Sequence, residues 1–245
     1  MSSFRLSIRE RYEKVLNAIA SSALKAGRTP ESARLVVVTK LQPPEVILAA
    51  IEAGAHLFGE NYAEEAAEKI SALKLQSAVE WHMIGHIQSR KASLVAQHFA
   101  LVHSLDSQRL AQRLNRSAVE HGRKLPVLLE FNVSGEKSKP GWEAADDTLW
   151  PSLLTDVNEI ASLPNLKVCG LMTMPPISTD PEEARIYFRQ LRRLRDFLSK
   201  QVPQVDWSEL SMGTSADFAV AVEEGATLVR IGQAILGPRL EAEAK

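Results

Sequence analysis

The feature that most constrains the fold is a regular alternation of short apolar runs with longer amphipathic segments. The apolar runs are rich in β-branched residues and are typical of strands buried on both faces. We predict eight strands, at Leu35–Val38, Ala55–Phe58, Glu80–Ile84, Ala100–Ser104, Pro126–Phe131, Leu166–Met172, Trp207–Leu210 and Thr227–Ile231. Apolar residues recur at helical spacing between them. Strands joined by crossover helices pair in parallel, so the pattern predicts an α/β fold, a (β/α)8 barrel of the TIM type.

The chain is predicted to form one domain over residues 1–245. Its 245 residues are 45% hydrophobic, which is enough to enclose one large core. The longest irregular stretch, Ser134 to Asp147, predicts an extended loop rather than a domain boundary. Apolar residues at helical spacing from Phe4 to about Lys25 predict an extra N-terminal helix, packed on the barrel within residues 1–28. An open, doubly wound sheet is the alternative fold.

Charge and composition limit the classes of partner. The chain has 29 basic and 30 acidic residues and a formal net charge of -1, so it has no overall field to attract nucleic acid or an anionic membrane. No apolar stretch is long enough to span a bilayer, and the N-terminus has no apolar signal core. The single cysteine, Cys169, lies in an apolar run and is predicted to be a buried thiol. We therefore expect a cytoplasmic protein with no nucleic acid and no membrane as partners.

Two segments that follow predicted strands carry groups suited to a phosphate. They supply hydroxyls that donate to oxygens, glycines that allow close backbone approach, and one guanidinium. These residues are Ser211, Gly213, Thr214 and Ser215 after the seventh strand, and Arg230, Ile231 and Gly232 at the end of the eighth. Without the neighbouring loop, the simplest interpretation of Thr214 or Ser215 is a helix N-cap. The loops after strands seven and eight often bind phosphate in this class of barrel, and that agreement favours an anion site.

Lys40 follows the first strand in the sequence Val37-Val38-Thr39-Lys40. Closure of a barrel sets the first strand beside the eighth, so Lys40 is predicted to face the phosphate loops. Apolar walls favour the neutral form of an amine, which is the form that condenses with an aldehyde. A lysine beside a phosphate cradle predicts a phosphorylated aldehyde, of which pyridoxal 5′-phosphate is the commonest tightly bound example. Asn61, after the second strand, is the predicted polar contact for the cofactor.

Two other patterns indicate that the residues concerned have structural rather than functional roles. His82 and His86 are four residues apart, but Gly85 and the end of a strand lie between them, so we predict no metal site. The arginine-rich helix from Pro181 to Lys200 carries leucines at core spacing. Its arginines are therefore predicted to form a solvated outer face rather than a nucleic-acid patch.

Motifs along nearly the whole chain resemble those of the pyridoxal phosphate homeostasis protein family, whose members are alanine racemase N-terminal-domain-like. The resemblance is carried by VVTK at 37–40, FGENY at 58–62, WHMIGHIQ at 81–88, GLMTM at 170–174, LSMG at 210–213, SAD at 215–217 and VRIG at 229–232. It implies a cofactor held as a covalent aldimine on Lys40, with its phosphate on Ser211–Ser215 and Ile231–Gly232. It also implies that Arg230 contacts the pyridine nitrogen.

Members of this family resemble racemases but are regarded as non-catalytic proteins that bind, buffer or deliver the cofactor. The resemblance therefore implies a role in vitamin B6 and amino-acid/keto-acid homeostasis. A two-base racemase needs a second acid or base opposite the lysine, and none of Tyr12, Tyr62 and Tyr187 is predicted to lie there. We predict a monomeric cofactor carrier without turnover, with pyridoxal phosphate-requiring apo-enzymes as recipients. A racemase or decarboxylase of amino acids and a Schiff-base aldolase remain alternatives.

Overall fold

The structure, a computed structural model, describes residues 3–73 and 79–238. Its helices are α1 (Ser3–Lys25), α2 (Pro44–Glu52), α3 (Ala63–Leu73), α4 (Ala92–His98), α5 (Gln108–Glu120), α6 (Trp150–Ala161), α7 (Arg185–Gln201), α8 (Phe218–Glu223) and α9 (Gln233–Leu236). Its strands are β1 (Arg34–Val38), β2 (Leu57–Glu60), β3 (Glu80–Met83), β4 (Leu101–Leu105), β5 (Leu125–Asn132), β6 (Trp142–Glu143), β7 (Leu166–Met172), β8 (Glu209–Ser211) and β9 (Leu228–Ile231).

The strands close into a parallel barrel. Hydrogen bonds join them in the order β4-β3-β2-β1-β9-β8-β7-β5, and a further pairing of β4 with β5 completes the ring. The remaining strand, β6, has 2 residues and lies alongside β5, within the stretch predicted as a loop. Eight strands therefore enclose the barrel, and the predicted (β/α)8 fold is confirmed.

Alternation of side chains along the strands divides the core into two layers. The inner layer fills the barrel and consists of Val36, Leu57, Leu101, Leu128, Cys169, Met172 and Leu228. The outer layer is larger and packs the strands against the surrounding helices, with Val37 and Phe58 among its members. Along β1, Val36 faces inward and Val37 outward. The strand ends at Val38, two residues before Lys40, so Lys40 lies at the C-terminal mouth of the barrel.

The helix α1 lies outside the barrel and packs against α2, α8 and α9. Ile8 and Ile19 on its inner face are buried. The Tyr12 hydroxyl donates to the carbonyl oxygen of Gly54 at 3.3 Å, and Arg11 Nε donates to the carbonyl oxygen of Ile235 at 2.6 Å. Among the described residues, no helix combines the length and apolar character needed to cross a membrane.

Seven of the eight predicted strands begin or end one or two residues from their predicted bounds, and two of these shifts concern the site because they place Glu60 and Ser211 in strands. The strand β2 runs from Leu57 to Glu60 rather than from Ala55 to Phe58, because Glu60 pairs with Met83 of β3. The strand β8 includes Ser211, which pairs with Met172 of β7. Ser211 therefore belongs to the barrel wall rather than to the loop that follows it.

The helix predicted from Ser215 to Glu224 begins later, at Phe218. A side-chain oxygen of Asp217 accepts hydrogen bonds from the Thr214 N–H at 2.6 Å and from the Thr214 hydroxyl at 3.0 Å. These bonds stabilise a turn over residues 214–217, which precedes the helix. The first helical N–H groups consequently lie three residues further along the chain than the sequence predicts.

Candidate functional site

Three consecutive strand ends bring predicted site residues to one part of the mouth. Val37 of β1 pairs with Ile231 of β9, and Val38 pairs with Gly59 of β2. A Cβ atom added to Gly232 would lie 3.1 Å from the carbonyl oxygen of Val38, so the two backbones are in close contact. Gly232, Lys40 and Asn61 therefore lie on adjacent strand ends, and Lys40 is half-buried.

The predicted phosphate loops are hydrogen-bonded to each other. The Arg230 N–H donates to the carbonyl oxygen of Gly213 at 3.0 Å. Gly213 has a φ of +95°, and a Cβ atom there would lie 2.5 Å from the Cβ of Ala221. Both the backbone conformation and the lack of space require glycine at this position. The prediction that these loops are neighbours is correct.

Thr214 and Ser215 differ in their surroundings. Thr214 donates through its backbone and its hydroxyl to the Asp217 carboxylate, whereas Ser215 is exposed. Asp217 was not singled out from the sequence, although the spacing Thr214-x-x-Asp217 is a common turn pattern. The Asp217 carboxylate therefore occupies both Thr214 donors, and Ser215 is the hydroxyl that faces solvent.

Arg230 lies inside the barrel with only 4% of its surface exposed. Its Nη1 donates to the Ser211 hydroxyl, and its Nη2 donates to the carbonyl oxygen of Thr173 at 3.0 Å. Burial lowers the pKa of Arg230 to about 10, an effect opposed by the carboxylates of Glu130 and Asp217. The guanidinium therefore remains a cation at neutral pH.

Ser211 is completely buried, and its hydroxyl also contacts His103 Nδ1 at 2.7 Å. The sequence prediction assigned Ser211 to the phosphate loop and did not include His103. This contact joins residues 108 positions apart, so no local pattern could have indicated it.

Asn61 has a buried side-chain oxygen, Oδ1, with no hydrogen-bond partner among the described residues. It lines a cavity of about 430 Å³ together with Met83, His86, Gln88 and Arg90. A buried polar atom left without a partner costs roughly 1–3 kcal/mol, so this oxygen is suited to a ligand that carries a donor. The cavity lies between the ends of β2 and β3, beside the mouth that contains Lys40.

The two histidines considered as metal ligands point to different places. His82 is buried inside the barrel, whereas His86 is exposed and its Nδ1 lies 3.1 Å from Asp106 Oδ2. Across residues 3–73 and 79–238, no group of three His, Cys, Asp or Glu side chains is arranged to hold a metal ion.

A buried polar cluster outside the barrel holds the backbone next to Lys40. Lys69 Nζ on α3 donates to the carbonyl oxygen of Thr39 at 2.8 Å and to Glu60 Oε1 at 2.9 Å. The Thr39 hydroxyl donates to the same Glu60 oxygen at 2.7 Å, and the Leu41 N–H donates to Glu65 Oε1 at 2.7 Å. Sequence reasoning missed this cluster, because its members lie on three different elements.

Glu130 is a second carboxyl group that sequence reasoning missed. It lies on β5 and is 5% exposed. Burial raises the pKa of Glu130 to about 7, the negative charge of Asp106 raises it further, and the positive charge of Arg230 opposes the shift. A single glutamate inside an apolar strand pattern was the available signal, since charged residues in such strands are seldom buried without a role.

The geometry defines a parallel (β/α)8 barrel with a lysine at the end of its first strand, and comparisons with known proteins agree with this class. The sequence profile described as "Alanine racemase, N-terminal domain" matches residues 16–239. The pyridoxal phosphate homeostasis protein of Vibrio alginolyticus is 41% identical over 237 residues, 95% of this chain and 98% of that protein. The protein of the same name from Aquifex aeolicus is 42% identical over 231 residues, 94% and 97% of the two chains. The chain belongs to the pyridoxal phosphate homeostasis protein family, as its motifs predict.

Solved structures show the same fold. PipY of Synechococcus elongatus with PLP bound is 34% identical and has a TM-score of 0.79, covering 94% of this chain and 100% of PipY. PipY without PLP gives a TM-score of 0.79 at 35% identity, covering 89% of this chain and 100% of that one. An alanine racemase of Clostridium difficile 630 is 14% identical with a TM-score of 0.69, covering 97% of this chain and 58% of the racemase. At that identity the racemase comparison concerns the fold alone.

Proposed function

We propose that this protein binds pyridoxal 5′-phosphate in the mouth of the barrel and carries or buffers it, without catalytic turnover of its own. The observation that carries the proposal is the close contact of Gly232 with Val38, two residues before Lys40. When bound, this cofactor supplies an aldehyde that condenses with a primary amine, and a phosphate that needs several donors. Lys40 is the covalent anchor, and the segments Gly213–Ser215 and Ile231–Gly232 bind the phosphate.

The surrounding residues fit this cofactor. Asn61 offers a buried oxygen that lacks a partner among the described residues. Arg230 is a buried cation that only donates hydrogen bonds. An arginine against the pyridine nitrogen keeps that nitrogen unprotonated and weakens the ring as an electron sink. This arrangement favours holding the cofactor over using it for carbanion chemistry, in keeping with the names of the relatives.

The proposed cellular role is homeostasis of vitamin B6 and of amino and keto acids. In this role the protein acts as a cytoplasmic monomer that passes its cofactor to pyridoxal phosphate-requiring apo-enzymes. The near-neutral charge and the names of the relatives support this role. Direct transfer predicts that loaded protein activates an apo-enzyme even when a scavenger removes free cofactor. Activation that disappears with the scavenger contradicts transfer by contact.

Absorbance spectroscopy tests the anchor. Purified protein mixed with pyridoxal phosphate is expected to gain a visible absorption band, and borohydride reduction should leave the cofactor mass on the peptide containing Lys40. Lys40→Ala should lose both signals. Lys91→Ala is the matched control, because Lys91 lines the neighbouring cavity and pairs with Glu64 on α3. A wild-type protein that stays colourless, or a band that survives Lys40→Ala, refutes the proposal.

A racemase or decarboxylase of amino acids is the second candidate function. The observation that favours it is Glu130, whose burial raises its pKa to about 7, so this carboxyl group can exchange a proton near neutral pH. Incubation of loaded protein with a panel of amino acids in heavy water decides between the candidates. Deuterium at Cα, inversion of configuration or release of carbon dioxide supports an enzyme, and unchanged amino acids support a carrier.

A further inference from the structure

A line of hydrogen-bonded side chains runs through the barrel interior from the candidate site towards the opposite end. Arg230 Nη1 contacts the Ser211 hydroxyl, which lies 2.7 Å from His103 Nδ1. His103 Nε2 lies 3.0 Å from His82 Nδ1. His82 Nε2 lies 3.7 Å from a carboxylate oxygen of Glu80, whose side chain is 62% exposed at the N-terminal start of β3. The hydrogen-bonded line therefore runs from Arg230 to His82, and Glu80 lies beyond hydrogen-bond distance at its end.

The donor and acceptor capacities of these groups set the direction of each hydrogen bond in the line. A guanidinium only donates, so the Ser211 oxygen accepts from Arg230, and His103 Nδ1 is the one acceptor that the described contacts offer to the Ser211 hydrogen. His103 Nδ1 is then an acceptor, and its Nε2 carries the hydrogen and donates to His82 Nδ1. By the same rule, His82 Nδ1 accepts, so a neutral His82 carries its hydrogen on Nε2. With both histidines neutral and in the Nε2–H form, each hydrogen bond has one donor and one acceptor, whereas the reversed assignment leaves the Ser211 hydrogen without a described acceptor.

The surroundings keep both histidines neutral. Burial lowers the pKa of His82 to about 4, and the positive charge of Arg34 lowers it further. Burial lowers the pKa of His103 well below its usual value, with additional lowering by His82, Arg230 and Arg34. The rings lie 5.0 Å apart, centre to centre. An imidazolium at His103 would donate its Nδ1–H to Ser211 and would leave the Ser211 hydrogen without an acceptor among the described contacts.

We propose that His103 is a positioning residue for the cofactor-contacting Arg230, acting through the Ser211 hydroxyl, and that His82 fixes the tautomer of His103. With His103 as its acceptor, the Ser211 hydroxyl holds one orientation and presents a lone pair to Arg230 Nη1. The guanidinium is thereby held by Ser211 on one side and by the Thr173 carbonyl on the other. Only the assignment of Arg230 to the cofactor rests on the proposed function; the tautomers do not.

Nitrogen NMR tests the tautomers without cofactor. Long-range proton–nitrogen correlation on histidine-labelled protein at pH 7 should show Nε2–H forms for His82 and His103. Ser211→Ala should move the His103 Nδ1 resonance downfield, since this nitrogen loses its donor. Ser104→Ala is the matched control, because Ser104 is the next residue on β4 but donates to the Gly85 carbonyl oxygen. An Nδ1–H form or an imidazolium at His103 overturns the proposal.

Cofactor affinity tests the positioning role. His103→Phe leaves Ser211 without its acceptor and is expected to weaken cofactor binding about tenfold or more, the ratio for one hydrogen bond to a charged group. His103→Asn restores an acceptor for the Ser211 hydroxyl. This variant should bind the cofactor with an affinity within about threefold of wild type, because most of the hydrogen-bond energy is kept. Cys169→Ala, in the same inner layer, is the control for a cavity.

The two experiments separate the possible failures. Equal weakening by His103→Phe and His103→Asn, or no weakening by His103→Phe, overturns the positioning role. If His103→Phe does not fold, the His103→Asn affinity and the wild-type tautomers still decide. A wild-type protein that never takes up cofactor refutes the proposed function, whereas the NMR result stands on its own.

Discussion

Replacing Glu130 with glutamine should make the protein more stable at alkaline pH and leave its stability unchanged at acidic pH. Burial on β5 raises the pKa of Glu130 from 4.5 to about 7, with a further rise caused by Asp106. In the unfolded chain this carboxyl group ionises near its ordinary pKa. The folded protein therefore binds a proton at pH 6 that the unfolded chain has released.

The difference between the folded and unfolded pKa values of Glu130 sets how the free energy of unfolding changes with pH. Below about pH 4 the carboxyl group is protonated in both states, so ionisation does not affect the free energy of unfolding. As pH rises towards 7, stability falls, because ionisation favours the unfolded chain. The separation between 4.5 and about 7 in the pKa of Glu130 amounts to roughly 3 kcal/mol above pH 7, at about 1.4 kcal/mol for each tenfold change. Glutamine cannot ionise and avoids this loss.

Urea unfolding of the cofactor-free protein at half-unit steps from pH 4 to pH 8.5 measures the effect. The difference in unfolding free energy between Glu130→Gln and wild type should increase with pH and level off near pH 8. Glu68→Gln, on an exposed position of α3, is the matched control for the chemical change from glutamate to glutamine. In an Asp106→Asn background the same difference for Glu130→Gln should level off at lower pH and at a smaller value, because removing the neighbouring negative charge lowers the folded-state pKa of Glu130. A pH-independent difference for Glu130→Gln refutes the reasoning.

Three further substitutions test local features of the site. Lys69→Met leaves the Glu60 carboxylate buried without its cation and should lower the unfolding free energy, measured by urea titration, by about 3–5 kcal/mol. The double variant with Glu60→Gln should recover part of this loss, because it removes the unpaired charge. Gly213→Ala places a methyl group 2.5 Å from the Ala221 Cβ at a φ of +95°, so calorimetry should show a lower melting temperature, and an unchanged one contradicts the clash. Leu41 has a φ of 58°, so Leu41→Gly should relieve about 1 kcal/mol of backbone strain. Thermal melts followed by circular dichroism measure the change, and a lower melting temperature for the variant contradicts the assigned strain.

The architecture was predictable because it depends on local periodicity. The run Leu35–Val38 is apolar throughout and Leu166–Met172 is interrupted only by the exposed Lys167, a pattern that occurs when a strand is covered on both faces. Eight of them with helices between are compatible with few topologies. The end of β8 was harder to predict, because the ladder bond between Ser211 and Met172 depends on a strand 39 positions earlier in the chain.

The candidate site was predictable only where its residues follow strands. Lys40, Asn61 and Gly232 were predicted as neighbours because strand ends meet at one mouth of a barrel, and the structure places them on adjacent strand ends. His103 and Lys69 were missed, since each acts through a contact that the local sequence does not specify. His103 contacts Ser211 across the barrel interior, and Lys69 contacts Thr39 from a helix outside it.

Alternation along β1 separates the two polar clusters near Lys40. Thr39 faces outward to Glu60 and Lys69, and we expect Lys40, the next residue, on the inner side of the barrel, which holds Arg230. The outer cluster acts on the backbone that carries the lysine, and the inner line of histidines acts on the arginine. The clusters share no hydrogen bond among the described contacts, so substitutions in one should add to substitutions in the other. Because Thr39 and Lys40 are consecutive residues, one strand end can combine a rigid outer support with an inner binding site.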